Sequence, residues 1–270
     1  MVGSELFSVI DEHELVKKST RETAELMTTY GNKIHTALKG NRNLVQDVFQ
    51  EEPLRYRWGV EMQLTQLSQL LRRIERSSEY INKFDLKVEL SSLKDLSLSE
   101  HINYHFGYYR IGIVSVYDVA LQIVNAVIRL GIPNKEVNRR AVMNNLLIKD
   151  LKLDAFLKDI DKVVAVYRGE RNRQIHQGVG NSISAYFQNT AVSSLSIIES
   201  ISPIAPQLFD FDKVNIEELR LEAIELAQTR MLLECESLAI SLVQLLDILY
   251  DQYLSRLVPI TLNSKVNYNS

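Results

Sequence analysis

Glycine and proline are scarce in this sequence, with 10 and 5 residues in a chain of 270, about half of average usage or less. Sheets and loop-rich folds need both at turns and bulges, so their scarcity argues against those folds and toward long helices rich in Leu, Glu, Lys and Arg. A single cysteine, Cys235, excludes an intrachain disulfide and fits a reducing compartment. In a helical pattern it reads as a small buried apolar residue. An excess of positive charge is also missing. The formal net charge of −3 excludes an extended basic surface that coats nucleic acid, while leaving room for a small local basic site. No uninterrupted apolar stretch of about 18 residues occurs. The opening MVGSELFSVIDEHELVKK lacks the basic-then-apolar order of a secretory signal. The expectation is a soluble, cytoplasmic protein with no membrane contact. No P-loop is present, and GVGNSI (178–183) is too short a match to one. His13-Glu14 has no second histidine three residues on. His101 and His105 have a metal-compatible spacing, but no second ligand cluster accompanies them. No metal and no cofactor is expected.

What is present is apolar periodicity, in a chain that is 46% hydrophobic and can bury a sizeable core. Residues 10–38 read as helical, KGNRN (39–43) breaks the pattern, and Pro53 fits the first turn of the next helix. Val60, Leu64, Leu67, Leu71 and Ile74 step by four and three, as a bundle seam does. Residues 85–99 have no firm period and mark a soft boundary. The clearest helix covers about 100–130, with Ile102, Phe106, Tyr109, Ile113, Val116, Ala120, Ile123, Val127 and Leu130 on one line, ended by Gly131 and Pro133. A second line on it sets Asp118 and Asn125 among Ile111, Val114, Leu121 and Ile128. A short polar helix over 134–149 follows. Then comes one from 153, with Phe156, Ile160, Val163 and Tyr167 on its face, and a Ser/Ala-rich helix over 182–202. Asn215 and Glu218 resemble a capping pair that opens a long last helix with Leu219, Leu226, Leu233 and Ile240 seven apart. Run to 253, it would be roughly 60 Å long. The expected fold is all-α: an up-and-down helical bundle with extra N-terminal helices and a long C-terminal helix. Its expected divisions are an N-terminal hairpin (1–90), a helical domain (91–257) and a loose tail (258–270).

The chemistry concentrates in YRGERNRQIHQG, Tyr167–Gly178, which holds three arginines, an asparagine and a histidine. Arginine is always charged and grips two phosphate oxygens at once. Histidine titrates near neutral pH and can take or give a proton. Together they suit phosphate chemistry, including RNA cleavage, which needs a base for the 2′-OH, charge on the non-bridging oxygens and an acid for the leaving oxygen. Arg171 and His176 are five residues apart, a turn of about 140° and a rise of about 7.5 Å on a straight helix. They converge on one small ligand if the helix bends or ends there. The plainer reading is a solvated helix end whose basic residues favour the dipole. Arg168 and Arg173 suit solvent or backbone phosphates. Asp118, a carboxylate on an apolar stripe, needs a partner, and Arg171 and Arg110 are both candidates. Asn125 reads as a core hydrogen-bonding residue. Trp58, Tyr104, Tyr108 and Tyr109 could stack bases, although aromatics at helical spacing usually belong to a core.

The R-N-x-x-x-H segment, Arg171-Asn172 to His176, resembles the signature of the HEPN superfamily: arginine, four to six residues, then histidine, often with a polar residue straight after the arginine. The helix containing YYRIGIVSVYDVALQIVNAVIRLGIP is similar to the core helix that precedes that motif in a group of bacterial HEPN proteins. The resemblance covers about 95–250, and the N-terminal hairpin more weakly. It implies a helical bundle that dimerises with two motifs in one cleft, and a metal-independent endoribonuclease that leaves a 2′,3′-cyclic phosphate. Such proteins act in toxin–antitoxin or phage-defence systems, with RNA as substrate and a cognate antitoxin or regulatory protein as partner. Carried over, Arg171 binds and polarises the scissile phosphate, His176 is the general acid/base and Asn172 accompanies them. Other members are catalytically silent and bind a nucleotide or a protein. A toxin branch carries a tyrosine two residues after the histidine, where a partner enzyme modifies it. Gly178 stands there in this chain, against that modification. A helical interaction protein that uses its last helix is a further alternative.

Overall fold

A computed structural model describes residues 7–40, 52–82, 98–177, 197–198 and 216–266, with the backbone alone described for 32–34, 36–38, 40, 52–53, 82, 170–177, 216–217, 220 and 258–266. Among them are eight α-helices and no strand: α1 (Ser8–Asp11), α2 (Glu14–Gly40), α3 (Glu52–Asn82), α4 (Leu98–Ile128), α5 (Arg139–Met143), α6 (Leu146–Asp150), α7 (Leu153–Gln177) and α8 (Ile216–Val266). The architecture is an all-α helical bundle, as expected. The boundary expected near residue 90, all but residues 197–198 of the helix expected over 182–202, and the cap at Asn215 lie outside the described residues.

The seam read on α3 is the buried face: Val60, Leu64, Leu67, Leu71 and Ile74 are at most 1% exposed. Pro53 sits in the first turn of α3, where its missing N–H leaves no bond unmade. The line from Ile102 to Val127 on α4 is likewise buried. By length and composition α4 could cross a membrane, but 67% of its apolar window is buried inside the protein, as in a core helix.

Several elements depart from the expectation, each for a local reason. Helix α4 closes two residues before Gly131, at Arg129. Arg129 takes the left-handed conformation (φ 60°), and the Leu130 amide donates to the Asn125 carbonyl at 3.2 Å, as in a Schellman closure. The Arg129 guanidinium lies over the Tyr56 ring at 5.5 Å, which offsets the strain of a side chain at positive φ. The helix expected over 134–149 is a 3-10 turn (Asn134–Glu136) followed by α5 and α6. Asn138 accepts from the Ala141 amide and Asn145 from the Leu147 amide, so each asparagine starts a new helix in place of continuing one. On α7 the buried line is Leu153, Leu157, Ile160, Val164 and Tyr167; Phe156 and Val163 are half-buried beside it. On α8 the leucines seven apart face outward: Leu226, Leu233 and Ile240 are 44%, 61% and 61% exposed. The buried line there is Ala223, Ala227, Met231 and Cys235, and then Leu238, Leu242 and Leu249. Helix α8 also runs to Val266 through residues expected to be a loose tail. No glycine interrupts it, and its one proline is Pro259.

The chain divides into two compact units. One consists of Phe7–Leu70, Val116–Asp161 and Ala239–Ser270. There Tyr56 stacks on Tyr253 (5.7 Å between centroids) and donates to the Val127 carbonyl at 3.1 Å. His13 opens α2: its Nδ1 accepts from the Leu15 amide at 3.1 Å and its Nε2 lies 3.0 Å from Asp247. Acceptance at Nδ1 puts the proton on Nε2, which donates to that carboxylate. The other unit includes Leu71–Ser115 and Lys162–Leu238 and holds the candidate site.

Candidate functional site

The segment from Tyr167 continues α7 without a break to Gln177. Arg171, Asn172, Arg173 and His176 therefore occupy its last two turns, and their side chains are outside the described residues. Gly169 lies inside this helix, which does not end between Arg171 and His176. Arg168 is half-buried.

The first residue of the segment is a deep anchor. The Tyr167 ring is fully buried, and its hydroxyl donates to Glu234 on α8, 2.6 and 2.7 Å from the two carboxylate oxygens. From α4, the Tyr109 hydroxyl lies 2.9 Å from Oε2 of the same carboxylate and 3.3 Å from the Met231 carbonyl. Arg230 Nε donates to Oε1 at 3.2 Å. A carboxylate accepts only, and here two phenols and a guanidinium supply its donors. The anchor joins α4, α7 and α8 one helical turn before Arg171. Burial, reinforced by the Glu234 charge, pushes the Tyr167 phenol well above its ordinary value, and burial does the same to Tyr109, so both stay protonated donors. Burial also pushes the Cys235 thiol up to about 12, which leaves it unreactive near neutral pH. Tyr109 and Tyr167 meet edge to face at 6.2 Å, and the Arg110 guanidinium lies over Phe106 at 4.3 Å and Tyr167 at 5.9 Å.

The other candidate residues are placed as follows. Asp118 is exposed on α4, so the cost of burying a charge does not apply to it. Asn125 is 9% exposed. Its amide donates to the Ile132 carbonyl at 2.9 Å and accepts from the Ile132 N–H at 3.2 Å, tying down the chain after α4 as a core hydrogen-bonding residue does. His101 and His105 touch at 4.5 Å between ring centroids, and among the described residues no third histidine, cysteine or carboxylate joins them to form a metal site. Tyr109 is core, whereas Tyr104 and Tyr108 are exposed. The sequence reading missed Glu234. The signal was available: Tyr109 and Tyr167 both fall on apolar stripes, where a buried phenol needs a partner.

The HEPN_Cthe2314-like HEPN family model matches residues 63–245, well over half of the chain. The chain belongs to the HEPN family. No curated protein and no solved structure matches it. The HEPN segment starts inside α3 and ends inside α8. It contains Arg171, His176 and the whole tyrosine–glutamate anchor, and leaves α2 outside.

Proposed function

We propose that this HEPN protein is a metal-independent endoribonuclease in which Arg171 and His176 act on the scissile phosphate. Arg171 neutralises the non-bridging oxygens, which gain charge in the transition state. His176 exchanges the protons of the 2′-OH nucleophile and the leaving 5′-oxygen. The products are a 2′,3′-cyclic phosphate and a 5′-hydroxyl. The observation that carries this reading is the R-N-x-x-x-H spacing inside a matched HEPN segment, on a helix that Tyr167 anchors one turn before Arg171. Members of the family often have ribonuclease activity.

Continuity of α7 supports a composite site. On one straight helix Arg171 and His176 point about 140° apart, so a homodimer that faces two motifs across a cleft serves one phosphate better than one copy does. Asn172 orients the phosphate or the imidazole, and Arg168 and Arg173 hold flanking phosphates.

The test is RNA cleavage by the purified protein in excess EDTA, beside Arg171→Ala and His176→Ala. Cyclic-phosphate ends, lost in both variants, are expected. Mixing the two variants should restore part of the activity if each site draws on two copies. Absence of cleavage by the wild type on several RNAs, or cleavage that survives both substitutions, refutes the assignment.

A further inference from the structure

Helix α2 lies outside the HEPN segment and is held to its unit in a different way from α3. Along its described side chains the buried line is Leu15, Ser19, Thr23 and Tyr30, with Leu26 and Met27 half-buried beside it. These positions share one helical face. The centre of that face is polar, since Ser19 is 0% and Thr23 5% exposed. The inward run of α3 in the same unit is Val60, Leu64 and Leu67, each large, apolar and at most 1% exposed.

Side-chain links at this polar centre join α2 to α3. The Glu22 carboxylate lies 2.9 Å from Arg57 Nε and 2.8 Å from Lys18 Nζ. The Thr20 hydroxyl donates to Glu61 at 3.0 Å, and the Thr23 hydroxyl to the Arg57 carbonyl at 3.5 Å. Apolar packing belongs to the ends of the face. Leu15 is fully buried at one end, and at the other Tyr30 and Leu54 of α3 form a cluster that Leu26 and Met27 pack against. A hydrogen bond across an interface replaces bonds to water and nets little, and a part-buried ion pair first has to offset the desolvation of both charges. Large apolar side chains, which gain by leaving water, are missing from the middle of α2. A segment with few buried apolar contacts opens at a lower free energy than the protein as a whole.

We propose that α2 is a releasable strap: it lifts from α3 as a unit while α3 and α4 stay folded. Leu54, Arg57 and Glu61 are spaced by three and four and so share one face of α3. Release uncovers that face, with the charged pair Arg57 and Glu61 beside the apolar Leu54. The device is conformational, and it does not rest on the nuclease reading.

The test is hydrogen exchange of the full chain read by mass spectrometry, under conditions in which each amide reports its opening equilibrium. Protection in α2 should be at least about a hundredfold below that in α3 and α4. Ile123→Val, a mild change in the α4 core, should lower protection in α4 about fivefold and leave that of α2 unchanged, because α2 opens without α4. Glu22→Gln removes the charge that Arg57 and Lys18 share and should lower α2 protection about tenfold. Circular dichroism establishes that both variants are folded. Equal protection in α2 and α3, or a fall in α2 that matches the fall in α4 in the Ile123→Val protein, means that α2 opens only with the rest and overturns the strap. Unchanged α2 protection in Glu22→Gln also overturns it, since the polar centre would then play no part in holding the helix.

Discussion

Removing one oxygen, in Tyr167→Phe, tests whether the Glu234 anchor holds α7 one turn before Arg171. The ring stays, so packing around this fully buried side chain is retained and no cavity of consequence forms. What goes is a donor 2.6 and 2.7 Å from a carboxylate. A hydrogen bond to a charged group contributes about 1.5–3 kcal/mol. Glu234 keeps Tyr109 and Arg230, and its side chain is 22% exposed, so water can partly replace the lost donor. The expected loss therefore lies at the low end, about 1.5 kcal/mol. Glu234→Gln should cost more, about 2–3 kcal/mol, because the amide offers a single acceptor oxygen to three donors and turns its NH2 toward another. The double variant should be less destabilised than the sum of the two by about 1 kcal/mol, since after either change the Tyr167–Glu234 bond is already lost or weakened. The assay is urea unfolding followed by circular dichroism, reading midpoints at constant slope. A Tyr167→Phe midpoint indistinguishable from wild type, or strict additivity in the cycle, would refute the anchor. If the anchor also positions Arg171, Tyr167→Phe lowers the turnover of RNA more than it raises KM.

Two further outcomes follow from single side chains. His105 has its folded-state value lowered, by burial first and by His101 second, so the unfolded chain binds its proton more readily. Stability should fall as pH drops through about 6.5, the ordinary histidine value, toward the depressed folded value. His105→Phe should remove part of that acid sensitivity in melts across this range, and an unchanged pH profile would sink the assignment. Gly169 is exposed within α7, and a Cβ there would meet nothing within 4 Å. Gly169→Ala should therefore stabilise the protein by about 0.5–1 kcal/mol and raise the melting temperature by about 2 °C; a destabilised variant would contradict a continuous helix through the motif.

The seam on α3 and the long line on α4 were legible because large apolar residues alternate by four and three over several turns, a pattern few other structures share. The same signal misled on α8. Leucines seven apart satisfy a helical count, yet they are the exposed line, while the buried line there opens with Ala223 and Ala227 and continues through Met231, Cys235, Leu238, Leu242 and Leu249. Small residues carry little periodic signal because their burial depends on how closely another helix approaches, which is a tertiary fact. The continuity of α7 through Gly169 was equally hidden: one glycine in a polar segment weakens a helix by only about 1 kcal/mol, and tertiary anchoring outweighs that.

The candidate site divides along a different line. Arg171, Asn172 and His176 were readable because their residue types carry the chemistry and their spacing matches a family pattern. What supports them was not readable, for a reason visible in two carboxylates. The argument that a carboxylate on an apolar stripe must find a partner was applied to Asp118, which is exposed on α4. Glu234 answers to the same argument, on a helix whose buried face the leucine count had misplaced. Had Ala223, Ala227 and Cys235 been taken as the buried line, Glu234 would have fallen beside it, next to two tyrosines already assigned to neighbouring core stripes. The physical rule was sound, and what hid Glu234 was the face assigned to α8. A polar residue's burial can be inferred only after the helix has been turned the right way, and on α8 the buried line nearest the N-terminus of the helix opens with two alanines, Ala223 and Ala227.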